Sequence, residues 1–170
     1  VVVASIQTNG VGRLNREWLS EKKDNLYMTI VLKPSFANST ELPLSSLTQY
    51  LSIVLCRLLN EFSVNAEIKW PNDTLVNGKK IAGILSQSSI IGTKIEGCVL
   101  GVGVNLNLSE NDISKISQPA TSLNLLIGKQ VDSESFRKKL IALFFDGYED
   151  FMSRGFISIR DEYLKRSLFI

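Results

Sequence analysis

The sequence predicts an α+β fold, in which helices pack on one face of a mixed, mostly antiparallel sheet. Three observations support this class. Short β-branched segments alternate with turn signals, an Asn77-Gly78 pair favours a tight hairpin, and only two long segments show the helical period. The 170 residues match one domain in size, and 44% of them are apolar, which is enough for a sizeable core.

The first part of the chain contains two predicted strands separated by a loop. Residues 1–5 are apolar and β-branched, which predicts a buried strand. Residues 25–33 predict a second strand, which ends at Pro34 because proline cannot continue a ladder. Residues 7–20 contain glycine and asparagine without a regular period and are predicted as a loop.

Two segments have apolar residues at helical spacing. The first spans 44–62 and predicts an amphipathic helix with one buried stripe. Asp132 is suited to cap the second helix, whose apolar stripe continues to Phe151, and Gly155 is placed to end it.

Four more strands are predicted between these helices. Two short strands within 67–85 flank Asn77-Gly78, because both residues accept the positive φ of a tight hairpin turn. Residues 86–91 and 94–105 predict two further strands, joined near Gly92-Thr93.

The composition excludes several functional classes. The net charge of +2 is too small, and the basic residues are too dispersed, to indicate a nucleic acid partner. No apolar run reaches the roughly 18 residues needed to cross a bilayer, so no membrane contact is expected. The absence of histidine rules out Ser-His-Asp hydrolysis, Cys-His catalysis and His-ligated zinc. Any chemistry therefore rests on lysine, arginine, aspartate, asparagine and backbone amides.

Cys56 and Cys98 both lie among apolar residues. This setting predicts buried free thiols, which suit a reducing cytoplasm. The sequence begins at Val1 rather than Met, so we expect it to be a fragment of something longer.

The first candidate site segment is Gln7-Thr-Asn-Gly10-Val-Gly12-Arg13-Leu-Asn-Arg16-Glu-Trp18. Its glycines let the backbone approach a ligand, its arginines can donate to carboxylate or phosphate, and its tryptophan can stack on a base. The spacing matches neither G-x-G-x-x-G nor the P-loop. A flexible surface loop with a half-buried tryptophan is the alternative explanation.

The second candidate segment is the Lys-Trp-Pro-Asn-Asp run at 69–73, followed by Lys80 after the hairpin. Asn72 and Asp73 present oxygen atoms that suit Mg²⁺ or a nucleophile. Strand alternation predicts that Lys80 shares a face with Ala82, where its ammonium would balance a carboxylate and a phosphate. A solvated lysine beside an Asn-Asp turn cap is the alternative.

The third candidate segment is Gly101-Val-Gly103-Val-Asn105. Alternate glycines on one face of an apolar strand remove side chains and leave a flat slot. An asparagine at the end of the strand offers a donor and an acceptor to a ring such as adenine. A sheet position crowded by a helix would also require small residues.

In this order and spacing, the three segments resemble the catalytic domain of biotin protein ligases over residues 1–128, and more loosely to the end. The family's biotin loop has the form Gln-x-x-Gly-x-Gly-Arg-x-x-Arg-x-Trp-x-Ser, which residues 7–20 match. Lys-Trp-Pro-Asn-Asp stands unbroken at 69–73, Lys-x-Ala-Gly-Ile-Leu matches 80–85, and Gly-x-Gly-x-Asn matches 101–105. Thr121-Ser122-Leu123 resembles a further family segment.

The resemblance implies a role for each matching residue. The residues that it assigns to biotin are Gln7, Gly10, Gly12, Arg13, Lys80, Gly83, Gly101 and Gly103. Those that it assigns to ATP or the adenylate are Arg16, Trp18, Asn72 and Asn105. The implied catalytic residues are Lys80, Arg13 and Asp73, and the implied metal ligands are Asn72 and Asp73.

The implied reaction activates biotin with ATP to biotinyl-5′-adenylate and then transfers biotin to a lysine of a biotin carboxyl carrier protein. ATP and Mg²⁺ are the implied cofactors, and the expected state is a monomer or a weak homodimer. Two alternatives stay open at this point. One is lipoate-type ligation on a similar carrier lysine, and the other is a non-catalytic module that holds biotin or a nucleotide.

The chain also departs from the family pattern. Arginine is common in the family where this chain has Val11 and Leu14, and glycine is common where it has Asn15. Fewer cations in the loop would weaken retention of the adenylate. The family's upstream Ser/Thr-Thr-Asn segment and small C-terminal barrel are not found in residues 1–170, so we expect a catalytic domain without its N-terminal start and without any C-terminal domain.

Overall fold

The computed structural model describes residues 1–33, 44–91 and 94–168, and its strands form one seven-stranded sheet. The strand order is β1-β2-β6-β5-β4-β3-β7. Every pair is antiparallel except β3 and β7, which are parallel. The strands are β1 Val2–Ala4, β2 Leu26–Leu32, β3 Glu67–Lys69, β4 Asp73–Val76, β5 Lys79–Ile91, β6 Lys94–Val104 and β7 Ser167–Leu168.

Six α-helices are present among the described residues. They are α1 Leu44–Glu61, α2 Glu110–Ile113, α3 Leu123–Ile127, α4 Ser133–Asp146, α5 Tyr148–Arg154 and α6 Arg160–Arg166. Helix α1 contacts β5 and packs against α4, so the core lies between the sheet and the helices. Leu51 and Leu58 of α1 are fully buried there, as is Leu100 of β6. Each such side chain stabilises the fold by about 1.5–3 kcal/mol. The predicted α+β class is confirmed.

The predicted strand at residues 1–5 forms, but it is not buried. Among the described residues, β1 pairs only with β2, and Val2 is 61% exposed. The prediction of burial is wrong because β1 is an edge strand, whereas the apolar pattern at 1–5 is typical of a central one. The second strand is confirmed as β2, and its predicted end at Pro34 lies outside the described residues.

The Asn-Gly turn is confirmed between β4 and β5, where Asn77 has φ 51° and Gly78 has φ 74°. These values fit the type I′ hairpin that the pair favours. The predicted division of this region is wrong in two respects. A third short strand, β3, precedes the hairpin, and β5 continues through position 85 as one long strand. The predicted join at Gly92-Thr93 lies outside the described residues.

The second long helix begins as predicted, with Asp132 Oδ1 accepting a hydrogen bond from the Glu134 amide at 3.1 Å. It does not run unbroken to Phe151, because α4 ends before Gly147 and α5 continues after it. The buried Tyr50 hydroxyl donates to the Phe144 carbonyl at 2.6 Å, and a Cβ at position 147 would lie 2.8 Å from the Tyr50 oxygen. Glycine is therefore needed where Tyr50 enters the bend.

Both cysteines are free and buried, as predicted. Burial raises the pKa of Cys56 to about 12, so its thiol stays protonated near neutral pH. Within residues 1–33, 44–91 and 94–168, no helix is both long enough and apolar enough to cross a membrane.

Candidate active site

A cavity of about 690 Å³ lies on the face of the sheet away from the helical core. Side chains alternate along β6, so that Leu100 and Val102 enter the core while Gly101 and Gly103 line the cavity. The other walls come from β2, β5, the 69–73 run and the loop at 7–18. The cavity lies within the size range of small-molecule sites.

Most of the predicted site residues line this cavity. They are Gln7, Gly12, Arg13, Arg16, Trp18, Asn72, Asp73, Lys80, Gly83, Gly101 and Gly103. Lys80 and Arg13, both of which the resemblance assigns to biotin, line the same cavity, so an ammonium and a guanidinium converge there. Gly10 and Asn105 are not among the lining residues.

The loop at 7–20 is more regular than its sequence suggests, because it folds back on itself as a short ribbon. The Trp18 amide donates to the Gly10 carbonyl at 2.9 Å, and the Gly12 amide donates to the Arg16 carbonyl at 2.7 Å. Its tip is a tight turn at Arg13–Asn15, closed by the Arg16 amide, which donates to the Arg13 carbonyl at 3.2 Å. Arg13 and Arg16, exposed on this ribbon, can therefore approach a ligand in the cavity.

The tip of the ribbon contains two residues in left-handed backbone conformation. Leu14 has φ 58° and Asn15 has φ 56°. Asparagine adopts this conformation readily, which fits its replacement of the family's glycine. The Leu14 side chain is 82% exposed at the cavity edge.

Gly10 serves the ribbon rather than the cavity. A Cβ there would collide with Ser20 Oγ and lie 2.6 Å from the Trp18 carbonyl oxygen. Gly10 thus packs within the ribbon, and the contact of its amide with biotin stays a prediction. Gly10 is a glycine because two chain segments cross at that point. Sequence alone cannot distinguish this cause from contact with a ligand.

Trp18 rests on two glycines that face each other across β5 and β6. Gly83 pairs with Gly103, and a Cβ at Gly103 would lie 2.6 Å from Trp18 Cε2. At Gly101 the nearest atom to a Cβ is the Leu85 carbonyl oxygen, at 3.5 Å. The predicted glycine slot is thus open at Gly101 but covered by the indole at Gly103. The Trp18 Nε1 is buried and has no hydrogen-bond partner among the described residues.

Lys80 forms an ion pair with Asp73 inside the cavity. Its Nζ lies 2.8 Å from Asp73 Oδ1 and 5.2 Å from the centre of the Trp18 ring. The angles at Oδ1 are not those of a hydrogen bond, so the contact is an ion pair by distance. The side chains of Lys80 and Asp73 are only 15% and 21% exposed. The low exposure limits screening of the pair by solvent.

The expectation that Lys80 shares a face with Ala82 is wrong. Thr74 pairs with Ala82 but Leu75 pairs with Lys80, so Ile81 is an extra residue in β5. Such a β-bulge reverses the alternation of side chains beyond it. Ala82 is fully buried in the core, whereas Lys80 lies beside Gly83 in the cavity.

The backbone of Lys80 is held by a segment that sequence reasoning missed. The Lys80 amide donates to the Pro119 carbonyl, and the Thr121 amide donates to the Lys80 carbonyl, both at 2.9 Å. Asn105 is buried and donates through Nδ2 to the Thr121 carbonyl at 3.0 Å. The resemblance of 121–123 to a family segment had pointed to this region, but no functional role was predicted for it.

Asn105 faces a second, small cavity of about 30 Å³ that it shares with Trp18, Lys80 and Gln118. Trp18 and Lys80 line both cavities. Asn105 therefore borders a space next to the main cavity, and its contact with adenine stays a prediction.

The ribbon's exit is anchored by buried hydrogen bonds. Asn25 Oδ1 accepts from the amides of Leu106 and Asn107 at 2.8 and 2.9 Å. The hydroxyl of Tyr27, a cavity residue that was not predicted, donates to the Lys22 carbonyl at 3.0 Å. Burial raises the pKa of Tyr27, so the phenol remains a donor at neutral pH. These bonds fasten the segment after Trp18 to the end of β6.

At the rim, Arg13 Nη1 approaches Asn72 Oδ1 at 3.5 Å, which links the ribbon to the 69–73 run. Trp70, at the same rim, is 68% exposed.

Within the part of the chain that the structure describes, no group of three or more His, Cys, Asp or Glu side chains could hold a metal ion.

Comparison with known proteins gives consistent matches. The model of the Biotin/lipoate A/B protein ligase family matches residues 1–105. The bifunctional ligase/repressor BirA of Bacillus subtilis is 32% identical over 165 residues, which cover 94% of this chain and 49% of the relative. The biotin–[acetyl-CoA-carboxylase] ligase of Paracoccus denitrificans is 32% identical over 168 residues, covering 98% of this chain and 70% of the relative.

Among solved structures, the biotin protein ligase from Aquifex aeolicus in complex with biotin and ATP has a TM-score of 0.81 and 28% identity. The match covers 99% of this chain and 68% of that one. The chain thus spans about half the length of the Bacillus relative and about two thirds of the Aquifex protein.

Proposed function

Because the chain belongs to the biotin/lipoate A/B protein ligase family, we propose that it activates biotin with ATP and transfers it to a lysine of a biotin carboxyl carrier protein. The observation that carries the proposal is the convergence of Lys80, Arg13 and Asp73 with the open glycine strand on one cavity. The relatives named as biotin ligases support biotin over lipoate.

In the first half of the reaction, a biotin carboxylate oxygen attacks the α-phosphorus of ATP. The new O–P bond gives biotinyl-5′-adenylate, and the broken P–O bond releases pyrophosphate. Because two anions are joined, catalysis depends on charge compensation and alignment. Lys80 supplies a mostly buried ammonium at the cavity wall, and Arg13 supplies a guanidinium from the ribbon.

In the second half, the neutral amine of the carrier lysine attacks the carbonyl carbon of the mixed anhydride. An amide bond forms, the bond to the phosphate oxygen breaks, and AMP leaves. The attacking nitrogen must lose a proton. Asp73 lies next to Asn72 at the rim and is our proposed acceptor of that proton.

The remaining site residues have proposed roles that follow their positions. Gly101 leaves room for the biotin rings, with Gly83 alongside, and Gln7 and Gly12 offer polar groups from the ribbon. Gly103 acts through Trp18, which it seats. The residues proposed for the adenylate are Arg16, Trp18, Asn72 and Asn105.

The two residues predicted as Mg²⁺ ligands do not fit a metal site in this structure. Asp73 Oδ1 is paired with the Lys80 ammonium, and Asn72 Oδ1 faces the Arg13 guanidinium. Mg²⁺ requires near-octahedral oxygen ligands at short distances, and in the ligand-free protein these two oxygens face cationic side chains instead. We therefore propose ATP as a substrate and assign neither Asn72 nor Asp73 to Mg²⁺.

Biotin-dependent exchange of pyrophosphate into ATP tests the first half-reaction, and labelling of a biotin carrier domain tests the second. We expect exchange with biotin and little with lipoate. Exchange with lipoate alone would make the chain a lipoate-type ligase. Tight biotin binding without AMP formation would make it a non-catalytic module.

The buried free thiols support a reducing compartment such as the cytoplasm, and gel filtration would test the expected monomer or weak dimer.

A further inference from the structure

The proposed reaction needs the Lys80 ammonium for the biotin carboxylate. In this structure the ammonium is already paired with Asp73. Of the described residues that line the cavity, two are acidic, Asp73 and Glu17, and the ion pair with Lys80 is formed by Asp73. At 2.8 Å and with little exposure, the carboxylate neutralises the ammonium in the ligand-free protein.

Neither partner can leave the pair by moving its backbone. Asp73 is held in β4 opposite Gly83, and Lys80 is bonded on its other side to Pro119 and Thr121. The bulge at Ile81 is what turns the Lys80 side chain towards Asp73. Any exchange of partners therefore takes place by side-chain rotation, inside a site whose backbone is fixed.

An ammonium group has three donors, but two carboxylates close to it repel each other in a poorly solvated cavity. We propose that Asp73 is a displaceable counter-ion of Lys80. The carboxylate of the bound substrate takes its place, and Asp73 becomes free beside the rim where the carrier lysine enters. This inference rests on the proposed function and adds an order of events, because Asp73 is released only after a carboxylate has bound.

The inference makes a prediction about ligand charge. In the wild-type protein, we expect biotin to bind only slightly more tightly than biotinamide, its neutral analogue, because Asp73 already neutralises the charge on Lys80. In Asp73→Asn, which keeps the shape of the side chain, the ammonium has no counter-ion. We expect the ratio of the biotinamide Kd to the biotin Kd to rise about tenfold or more over wild type, the scale of one charge-assisted contact.

Calorimetry with biotin and biotinamide measures this ratio directly. Asp161→Asn is the matched control, because it makes the same charge change at an 88% exposed side chain outside the cavity, and its ratio should equal the wild-type one. An Asp73→Asn ratio equal to that of wild type would overturn the counter-ion role.

The double variant Asp73→Asn/Lys80→Gln provides a second measurement. In the Lys80→Gln background, Asp73→Asn relieves only the repulsion between the two carboxylates, so the ratio should rise less than it does with Lys80 present, and an equal rise would refute the pairing. Failure of the proposed function would look different, because the wild-type protein would then bind neither biotin nor biotinamide, or would bind biotin without supporting biotin-dependent pyrophosphate exchange.

Discussion

The packing of the Trp18 indole against Gly103 can be tested by substitution. In Gly103→Ala, the new methyl would lie 2.6–2.7 Å from three indole atoms of Trp18, whereas ordinary contacts begin at 3.4 Å. The indole must therefore retreat by about 0.8 Å. Overpacking of this kind costs about 1–3 kcal/mol. Because the half-buried ring can move into the cavity, we expect a cost near 1 kcal/mol, or a fall of about 2–4 °C in Tm.

Fluorescence is the direct assay, because the chain has only two tryptophans. In a Trp70→Phe background, all tryptophan emission comes from Trp18. We expect Gly103→Ala to shift this emission to longer wavelength, as the indole leaves its seat and the cation–π contact with Lys80 weakens.

Gly101→Ala is the control, since its methyl would meet only the Leu85 carbonyl oxygen at 3.5 Å. Its emission and Tm should stay near those of the parent protein, while its biotin affinity falls because the methyl enters the cavity. Unchanged emission in Gly103→Ala, or an equal shift in Gly101→Ala, would refute the packing described for Trp18.

Three further predictions concern Lys80, Arg13 and Asp112, the last of which forms a capping box with Ser109 at the start of α2. Lys80→Ala should slow biotin-dependent pyrophosphate exchange by roughly 100-fold or more, and a near-normal rate would remove Lys80 from the mechanism. Arg13→Gly should release the adenylate faster in a trapping assay, and an unchanged release rate would contradict its role. Hydrogen bonds from Ser109 and the ion pair with Lys22 lower the pKa of Asp112 from 3.8 to about 2. Asp112→Ala should therefore lose about 1–2 kcal/mol of unfolding free energy at pH 7, and this difference should shrink as the pH falls from 4 to 2, where the native carboxylate is protonated. A difference that does not depend on pH in denaturant titrations would exclude this cause.

The parts of the fold that depend on local chemistry could be predicted from the sequence. The Asn77-Gly78 hairpin and α1 follow from turn preference and from a helical period. The exposure of β1 could not be predicted, because it depends on which strands are its neighbours. The bulge at Ile81 was missed for the same reason, since register is a property of two strands together.

The candidate site shows the same division. Motif order predicted that Lys80 and Arg13 meet in one cavity, but it did not predict what each glycine faces. Gly10 and Gly103 are glycines because parts of this chain pack against them, and Gly101 is the one that opens the slot. The segment at 119–121 contacts Lys80 largely through backbone groups, which leave no pattern in the side chains.

The cavity has two walls that are held in different ways, the sheet around Lys80 and the ribbon at 7–20. The Lys80 backbone is paired with β4 on one side and with residues 119–121 on the other, whereas the ribbon touches the sheet through Trp18 and leaves Val11 47% and Leu14 82% exposed. Replacement of those two side chains disturbs few buried contacts. How long a ligand stays can therefore be adjusted at the ribbon tip by substitutions that leave folding stability almost untouched.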